Sequence, residues 1–215
     1  MSTRIHLIRH GVTRSNRRRR YMGRTEEALC SDGRLQARRL ALRLAGLKLA
    51  ALYCSPLRRA RETAEIIGQP HALRPEVAAD FNELDLQRWE GLTAEQIEAR
   101  DADAWDIWCA DPTRLRLPGI ESFEALRVRV RRGLETLLRR HPDSSIAVVT
   151  HDGIVRVAVL EILGTGLGPY RAIPVDNTGL TTLDFTPQRT YLRALNDTGH
   201  LDETLRLAPA GPADR

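Results

Sequence analysis

The stretch Ile5-His6-Leu7-Ile8-Arg9-His10-Gly11, running on to Asn16, decides how the rest of the chain is read. Its apolar, partly β-branched first half predicts a buried strand over residues 4–9. The strand ends in a guanidinium and an imidazole. Gly11 then lets the backbone turn close to whatever the imidazole touches. The expectation is an anion-binding centre with His10 as its nucleophile.

Strand and helix signals alternate downstream. Residues 11–30 read as a polar loop containing the run Arg17-Arg18-Arg19-Arg20. Ser31 is a candidate helix cap, with Asp32 in the first turn and Ala37, Leu40, Ala41, Leu44 and Leu47 at helical spacing. Residues 50–54 form the next strand candidate. Ser55-Pro56 then predicts a helix start, with serine at the cap and proline at the first helical position. That helix has Leu57, Ala60, Ala64 and Ile67 as its apolar face and ends at Gly68. A short strand is expected within 70–80. Residues 81–120 read as a less regular insertion over the sheet, with a short helix near 93–99 and with Trp89, Trp105 and Trp108 as packing residues. The clearest helix spans 122–140, followed by strand 146–150, the turn His151-Asp152-Gly153, helix 154–163, and strands 180–185 and 190–195.

This order predicts an α/β fold, a three-layer α/β/α sandwich on a mixed, mainly parallel sheet. One catalytic domain is expected over 1–207, with 208–215 as a disordered tail. In such folds ligands bind outside the carboxyl ends of the strands. His10 follows the first strand, Arg58 sits in the first turn after the second, and His151 follows strand 146–150. Three polar groups far apart in sequence are thereby expected on one edge of one sheet.

Composition narrows the class. The chain has 215 residues, 42% hydrophobic and 28% charged, an ordinary globular balance. No apolar run approaches the ~18 residues needed to cross a bilayer. Residues 5–8 are too short for a secretory signal, so a cytoplasmic protein without membrane contact is expected. Cys30, Cys54 and Cys109 are widely spaced and odd in number, which argues against a disulfide framework or zinc ribbon. The net charge is +5, and Lys48 is the single lysine, so the basic charge is nearly all arginine. Outside the motifs this reads as solvated arginine faces rather than a polymeric phosphate site. No aromatic–basic RNA motif or recognition helix is present, so no nucleic-acid partner is expected.

Phosphoryl transfer needs an in-line nucleophile, charge stabilisation at the equatorial oxygens and a proton for the leaving oxygen. His10, neutral at its attacking nitrogen, can take the phosphoryl group if a backbone carbonyl holds the other nitrogen. Arg9 and Arg58 can give forked hydrogen bonds to phosphate, and His151 can donate to a phosphate oxygen or flank the nucleophile. Arg58 has a second reading, an i,i+4 pair with Glu62 on its own helix. Glu83 is the candidate acid, with Asp85 and Glu90 as rivals.

These residues resemble a known family. Arg9-His10-Gly11 with Thr13 and Asn16 is similar to the signature of the histidine phosphatase superfamily, in its phosphoglycerate mutase-like branch. Gly23, Leu29, Ser31, Gly33 and Gln36-Ala37 resemble its next block. Ser55-Pro56-Leu57-Arg58-Arg59-Ala60 through Ala64 resembles the block with the second pocket arginine. Glu83, Asp85 and Trp89-Glu90-Gly91 resemble the acid block, and Thr150-His151 with Gly153 the last. The resemblance spans roughly residues 4–163, with a weaker echo at 177–183 and 195–201. It implies His10 as the phosphorylated nucleophile, Arg9, Arg58 and His151 as the phosphate pocket, Glu83 as proton donor, and Asn16 and Gly23 on the substrate side. It implies no metal and no cofactor. Val12, Gln87 and Asp152 depart from the usual pattern without removing a reacting group.

The function expected is a metal-independent phosphomonoesterase acting on a small phosphorylated metabolite. A phosphoglycerate mutase is the nearest alternative; a non-catalytic phosphate binder and a nucleic-acid-binding protein are more distant ones. Phosphoglycerate, phosphoserine, α-ribazole phosphate and sugar phosphates are the substrates the resemblance leaves open. The oligomeric state is also open, a homodimer included. His6 shares a strand face with His10, but residues four apart on a strand lie ~13 Å apart, too far to share one ion. A cysteine phosphatase is excluded because Ala60 stands where C-x5-R needs arginine.

Overall fold

Strands buried on both faces read as near-continuous apolar runs, and two such runs lie at the centre of this protein. The structure, a computed structural model, describes residues 2–207. Strand β1 (Thr3–Arg9) is followed by a single helical turn α1 (Arg14–Arg17), helix α2 (Ser31–Leu44), strand β2 (Ala51–Cys54), helix α3 (Arg58–Gly68) and the two-residue strand β3 (Glu76–Val77). Helices α4 (Ala94–Arg100), α5 (Ala102–Ala110) and α6 (Phe123–Arg140) precede strand β4 (Ser145–Thr150). Helix α7 (Asp152–Leu163) and strands β5 (Leu180–Phe185) and β6 (Thr190–Asp197) follow.

The six strands of the described residues form one sheet in the order β3-β2-β4-β1-β5-β6. β1 runs parallel to β4, with Arg4 opposite Ser145 and Arg9 opposite Thr150, and β2 runs parallel to both β4 and β3. β5 is antiparallel to β1 and to β6. Period-two alternation sends Ile5, Leu7, Tyr53, Ile146 and Val148 to one face, where α6, α7 and the 81–120 segment cover them. Ile8, Leu52, Cys54, Ala147 and Val149 face the other way, against α2 and α3. Two apolar clusters on opposite faces make the three-layer sandwich.

His6 lies in the sheet, its Nδ1 3.0 Å from Thr182 Oγ1 and its Nε2 3.2 Å from Ser145 Oγ, so it is a satisfied core histidine. Two local expectations change. Cys30, not Ser31, occupies the cap position of α2. Helix α3 begins at Arg58, after the extended residue Leu57, two residues later than Ser55-Pro56 suggests. Ser55 is drawn instead to His151, a contact that turns out to belong to the site. The tail expected to be disordered, 208–215, lies outside the described residues.

Candidate active site

His10 emerges from β1 and is 3% exposed. Its backbone is tied down on both sides: its N–H donates to Thr150 O at 2.9 Å, and its carbonyl accepts from Asn177 Nδ2 at 2.9 Å. The ring Nδ1 lies 2.7 Å from Gly11 O. A carbonyl can only accept, so Nδ1 carries the proton and Nε2 keeps its lone pair. Burial, with Arg59 and Arg9 nearby, pushes the His10 pKa well below the usual histidine value. The imidazole is neutral at neutral pH.

The guanidinium that meets it belongs to Arg59, not to Arg58. Arg59 Nε lies 3.1 Å from His10 Nε2, while its Nη1 and Nη2 donate to Thr25 O and Gly23 O at 2.8 and 2.7 Å. Burial lowers its pKa to about 10, so it remains a cation at neutral pH. Arg58 points outward, its side chain 59% exposed and its Nε 2.8 Å from Glu62 Oε1. The reason is helical phase. Arg59, Ala60, Thr63, Ala64 and Ile67 form the buried face of α3, and Arg58 stands one turn before Glu62 on the solvent face. The position of Arg59, four before buried Thr63 and next to buried Ala60, was the signal that separates the two arginines.

Arg9 borders the same cavity. Its Nη1 donates to Val175 O at 2.6 Å, and its Nε is a buried donor without a partner. His151 follows β4 and is fully buried. Its ring meets that of His10 edge-on, centroids 5.2 Å apart, and its Nε2 is 2.7 Å from Ser55 Oγ. Burial, then the Arg59 charge, drives its pKa well down. Its Nδ1 is buried and unpartnered.

Glu83 enters from the far side. Its Oε1 accepts from Leu84 N–H at 2.8 Å. Burial and the neighbouring Asp152 carboxylate raise its pKa above the usual carboxylate value, against the opposing pull of the Leu84 N–H and Arg59. A Cβ on Gly153 would lie 2.8 Å from Glu83 Oε1, so the carboxylate rests on the bare first turn of α7. Two arginines fix the backbone that carries it. Arg129 donates to Asp80 O, Asn82 O and Glu83 O at 2.9, 2.5 and 3.0 Å. Arg24 Nε donates to Glu83 O at 3.1 Å. Glu121 bridges both guanidiniums, at 2.7 Å from Arg129 and 3.2 Å from Arg24. The rival acids are occupied elsewhere: Asp85 pairs with Arg24, and Glu90 accepts from Arg24 N–H and Thr25 Oγ1 at 2.7 Å each.

Asn16 and Gly23 line the cavity. Asn16 Oδ1 accepts from Thr13 N–H at 3.1 Å, closing a capping box on α1. Gly23 has φ +46°, and a Cβ there would run into Glu90, so only glycine places its carbonyl on Arg59. The cavity holds ≈160 Å³ and is bordered by Arg9, His10, Arg59, Glu83 and Asp152, with Trp108 and Tyr170 among its apolar walls. Trp108, expected only to pack, thus also faces the site, carried there by α5. Asp152, Ser55 and Asn177 are further site neighbours, which the sequence offered only as a departure from the family pattern, a helix cap and part of a weaker echo.

Among the described residues, no three or more His, Cys, Asp or Glu side chains stand close enough together to hold a metal ion. No helix among them is long and apolar enough to cross a membrane.

The family description "Histidine phosphatase superfamily (branch 1)" matches residues 5–198. A bifunctional protein of Mycobacterium tuberculosis is 33% identical over 201 residues, covering 93% of this chain and 55% of that protein. The chain thus spans about half the length of that relative. Phosphoserine phosphatase 1 of Hydrogenobacter thermophilus is 28% identical over 197 residues, 92% of this chain and 93% of that one. The solved structure of YhfR from Bacillus stearothermophilus superposes with a TM-score of 0.88 at 28% identity, over 92% of this chain and 98% of that one.

Proposed function

From a chain that belongs to branch 1 of the histidine phosphatase superfamily, we infer a phosphomonoesterase that works through a phosphohistidine on His10. The observation that carries this reading is the His10 ring itself. Its Nδ1 is spent on Gly11 O, its Nε2 lone pair faces a cavity, and an arginine stands 3.1 Å from that nitrogen.

In the first step His10 Nε2 attacks phosphorus in line with the ester oxygen. The P–N bond forms, the P–O ester bond breaks, and the departing alkoxide takes the Glu83 carboxyl proton. Arg59 and Arg9 carry the charge of the equatorial oxygens. The Arg59 Nε–H, which meets His10 Nε2 when no phosphate is bound, turns its donor to a phosphate oxygen, and His151 adds its free ring nitrogen. In the second step the Glu83 carboxylate takes a proton from water, whose oxygen attacks phosphorus. The P–N bond breaks, inorganic phosphate leaves, and His10 returns to its neutral form. No step calls for a metal. The raised Glu83 pKa supports its acid role, and the lowered His10 pKa supports its role as nucleophile.

The test is to quench the protein rapidly during turnover of p-nitrophenyl phosphate and locate the phosphoryl group by peptide mapping. The expected result is an acid-labile, alkali-stable adduct on His10. A phosphoryl group on another side chain, or none at any quench time, overturns the assignment.

A further inference from the structure

Tyr170 borders the catalytic cavity and is 8% exposed. Its ring is held firmly. It meets Phe123 edge-on, centroids 4.9 Å apart, and the Arg156 guanidinium lies 5.2 Å from its centroid. Arg156 Nη1 also donates to the Tyr170 carbonyl at 3.0 Å, while Arg156 Nε donates to Asp152 Oδ1 at 2.6 Å. Tyr170 is thereby tied to the start of α7, next to Gly153.

The hydroxyl at the end of this ring is unspent. Tyr170 N–H donates to Leu167 O and its carbonyl accepts from Arg156, but among the described residues its hydroxyl makes no hydrogen bond. A buried hydroxyl is costly to leave unpaired unless a ligand pairs with it. Gly153 fixes where the hydroxyl stands. A Cβ there would lie 3.3 Å from Tyr170 Oη and 2.8 Å from Glu83 Oε1, so hydroxyl and carboxyl group flank one point. Burial, then the Asp152 carboxylate, raises the Tyr170 pKa above the ordinary phenol value. The group is therefore a hydrogen-bond donor wherever Glu83 titrates. In-line attack puts the His10 nitrogen and the ester oxygen on opposite sides of phosphorus. Glu83 comes in on the ester side, and Tyr170 Oη stands beside it.

We propose that Tyr170 is a further catalytic residue, its hydroxyl donating a hydrogen bond to the ester oxygen as that oxygen leaves phosphorus. This rests on His10 as nucleophile and Glu83 as acid. In the first step Glu83 gives its proton to the ester oxygen while the P–O bond breaks. Tyr170 keeps its own proton and stabilises the charge that builds on the oxygen before that transfer is complete. In the second step the oxygen of water takes the same place. One water hydrogen passes to Glu83, and the other points to Tyr170 Oη, which accepts it once the hydroxyl has rotated. A phenylalanine would wall the cavity equally well but could do neither.

The test is Tyr170→Phe, which keeps the ring against Phe123 and Arg156 and removes only the oxygen. kcat/KM is measured for monophosphates ordered by the basicity of the leaving group, from p-nitrophenyl through phenyl to a simple alkyl ester. Ratios between substrates within one variant do not depend on how much of it is folded. The expected loss grows along the series and is about tenfold larger for the alkyl ester than for the p-nitrophenyl ester, the size of a hydrogen bond to a charged group. The alkaline limb set by Glu83 should remain. A loss equal for every substrate assigns Tyr170 to packing and overturns the proposal. So does no loss at all, or the disappearance of the alkaline limb, which makes the hydroxyl a support for Glu83 rather than a donor to substrate. Rapid quench of the unaltered protein reads the His10 assignment separately. An adduct on His10 with a uniform Tyr170→Phe loss overturns the role of the hydroxyl alone. An adduct elsewhere overturns the phosphohistidine reading and this role with it.

Discussion

Arg59 Nε lies 3.1 Å from His10 Nε2, the nitrogen that must attack phosphorus, while the adjacent Arg58 turns to Glu62 at the surface. The two arginines therefore separate experimentally. Arg59→Gln should lower kcat by about 10²–10³-fold, the usual cost of removing one donor to a developing oxyanion charge. Arg58→Gln should leave kcat within about twofold. Its loss removes only an exposed i,i+4 pair worth a few tenths of a kcal/mol. Steady-state kinetics with p-nitrophenyl phosphate decide between them, and a severe Arg58 defect would return that residue to the site.

Glu83 should govern the alkaline limb of the pH profile. Burial and Asp152 raise its folded pKa, so it stays protonated to higher pH than an ordinary glutamate. The first step needs the proton, so phosphorylation should slow as pH rises through that value. Glu83→Gln should remove this limb and cut alkyl phosphate turnover by about 10²–10⁴-fold. p-Nitrophenyl phosphate needs less help in leaving, so its first step should suffer less. Water attack would then become limiting, and phospho-His10 should accumulate on rapid quench. A Glu83→Gln enzyme that keeps its alkaline limb points to another acid.

Gly153→Ala should split stability from activity. Alanine is better than glycine in a helix by about 1 kcal/mol. The added Cβ would meet the far end of the Glu83 side chain at 2.8 Å and Tyr170 Oη at 3.3 Å. A carboxylate tip can move aside at small energetic cost, but not without leaving its place in the cavity. The expected outcome is a melting temperature equal to or above the parent and a clear fall in kcat. Unchanged kcat would mean that the position of Glu83 matters less than its presence.

How much of this was legible before the structure follows from what each residue depends on. The sheet was readable because apolar runs such as Ile146–Val149 are properties of the chain itself. His10 and His151 were readable because each follows such a run directly. Arg58 and Arg59 differ by 100° of helical rotation, and reading proline at the first helical position put the start of α3 two residues early. The spacing of Ala60, Ala64 and Ile67 and the Arg58–Glu62 pair already held the right phase. Trp108 and Tyr170 were not legible as walls of the site. They depend on where residues 81–120 and 168–172 come to rest, and no local pattern encodes that distance.

Arg129 should prove to be a positioning residue. It holds three backbone carbonyls of the segment leading to Glu83 and is itself bonded to Glu121, both side chains 12% exposed. Arg129→Leu takes this donor from Asp80 O and Asn82 O and leaves Glu83 O and the mostly buried Glu121 carboxylate with Arg24 as their remaining guanidinium, a loss of about 3 kcal/mol. For a domain of this size that lowers the melting temperature by on the order of 10 °C. Arg129→Lys keeps the charge but not the fork. It should recover part of the stability while kcat for alkyl phosphates stays depressed and the Glu83-dependent alkaline limb shifts. A purely structural role would leave that limb in place in Arg129→Lys.

Acid should destabilise the fold earlier than carboxylate pairing alone explains. Burial lowers the pKa of His6 and of His200 to about 4, and those of His10 and His151 fall well below the usual 6.5. A histidine depressed in the folded state binds its proton more readily when unfolded. Between the folded and unfolded pKa values the unfolded chain therefore holds more protons, and stability rises with pH. The stabilisation is complete above about pH 6.5 and is lost as pH falls from there towards 4. Each group contributes a slope of up to about 1.4 kcal/mol per pH unit within that window. Asp184, held down to about 2 by Arg4 and Arg193, adds its loss only at lower pH. Urea midpoints measured from pH 7.5 to 4.5 should fall steadily below pH 6.5. His6→Gln, which keeps polar groups near Thr182 and Ser145 but cannot gain the proton, should flatten part of that fall. A midpoint flat down to pH 5 would show that these imidazoles are not held neutral by the fold.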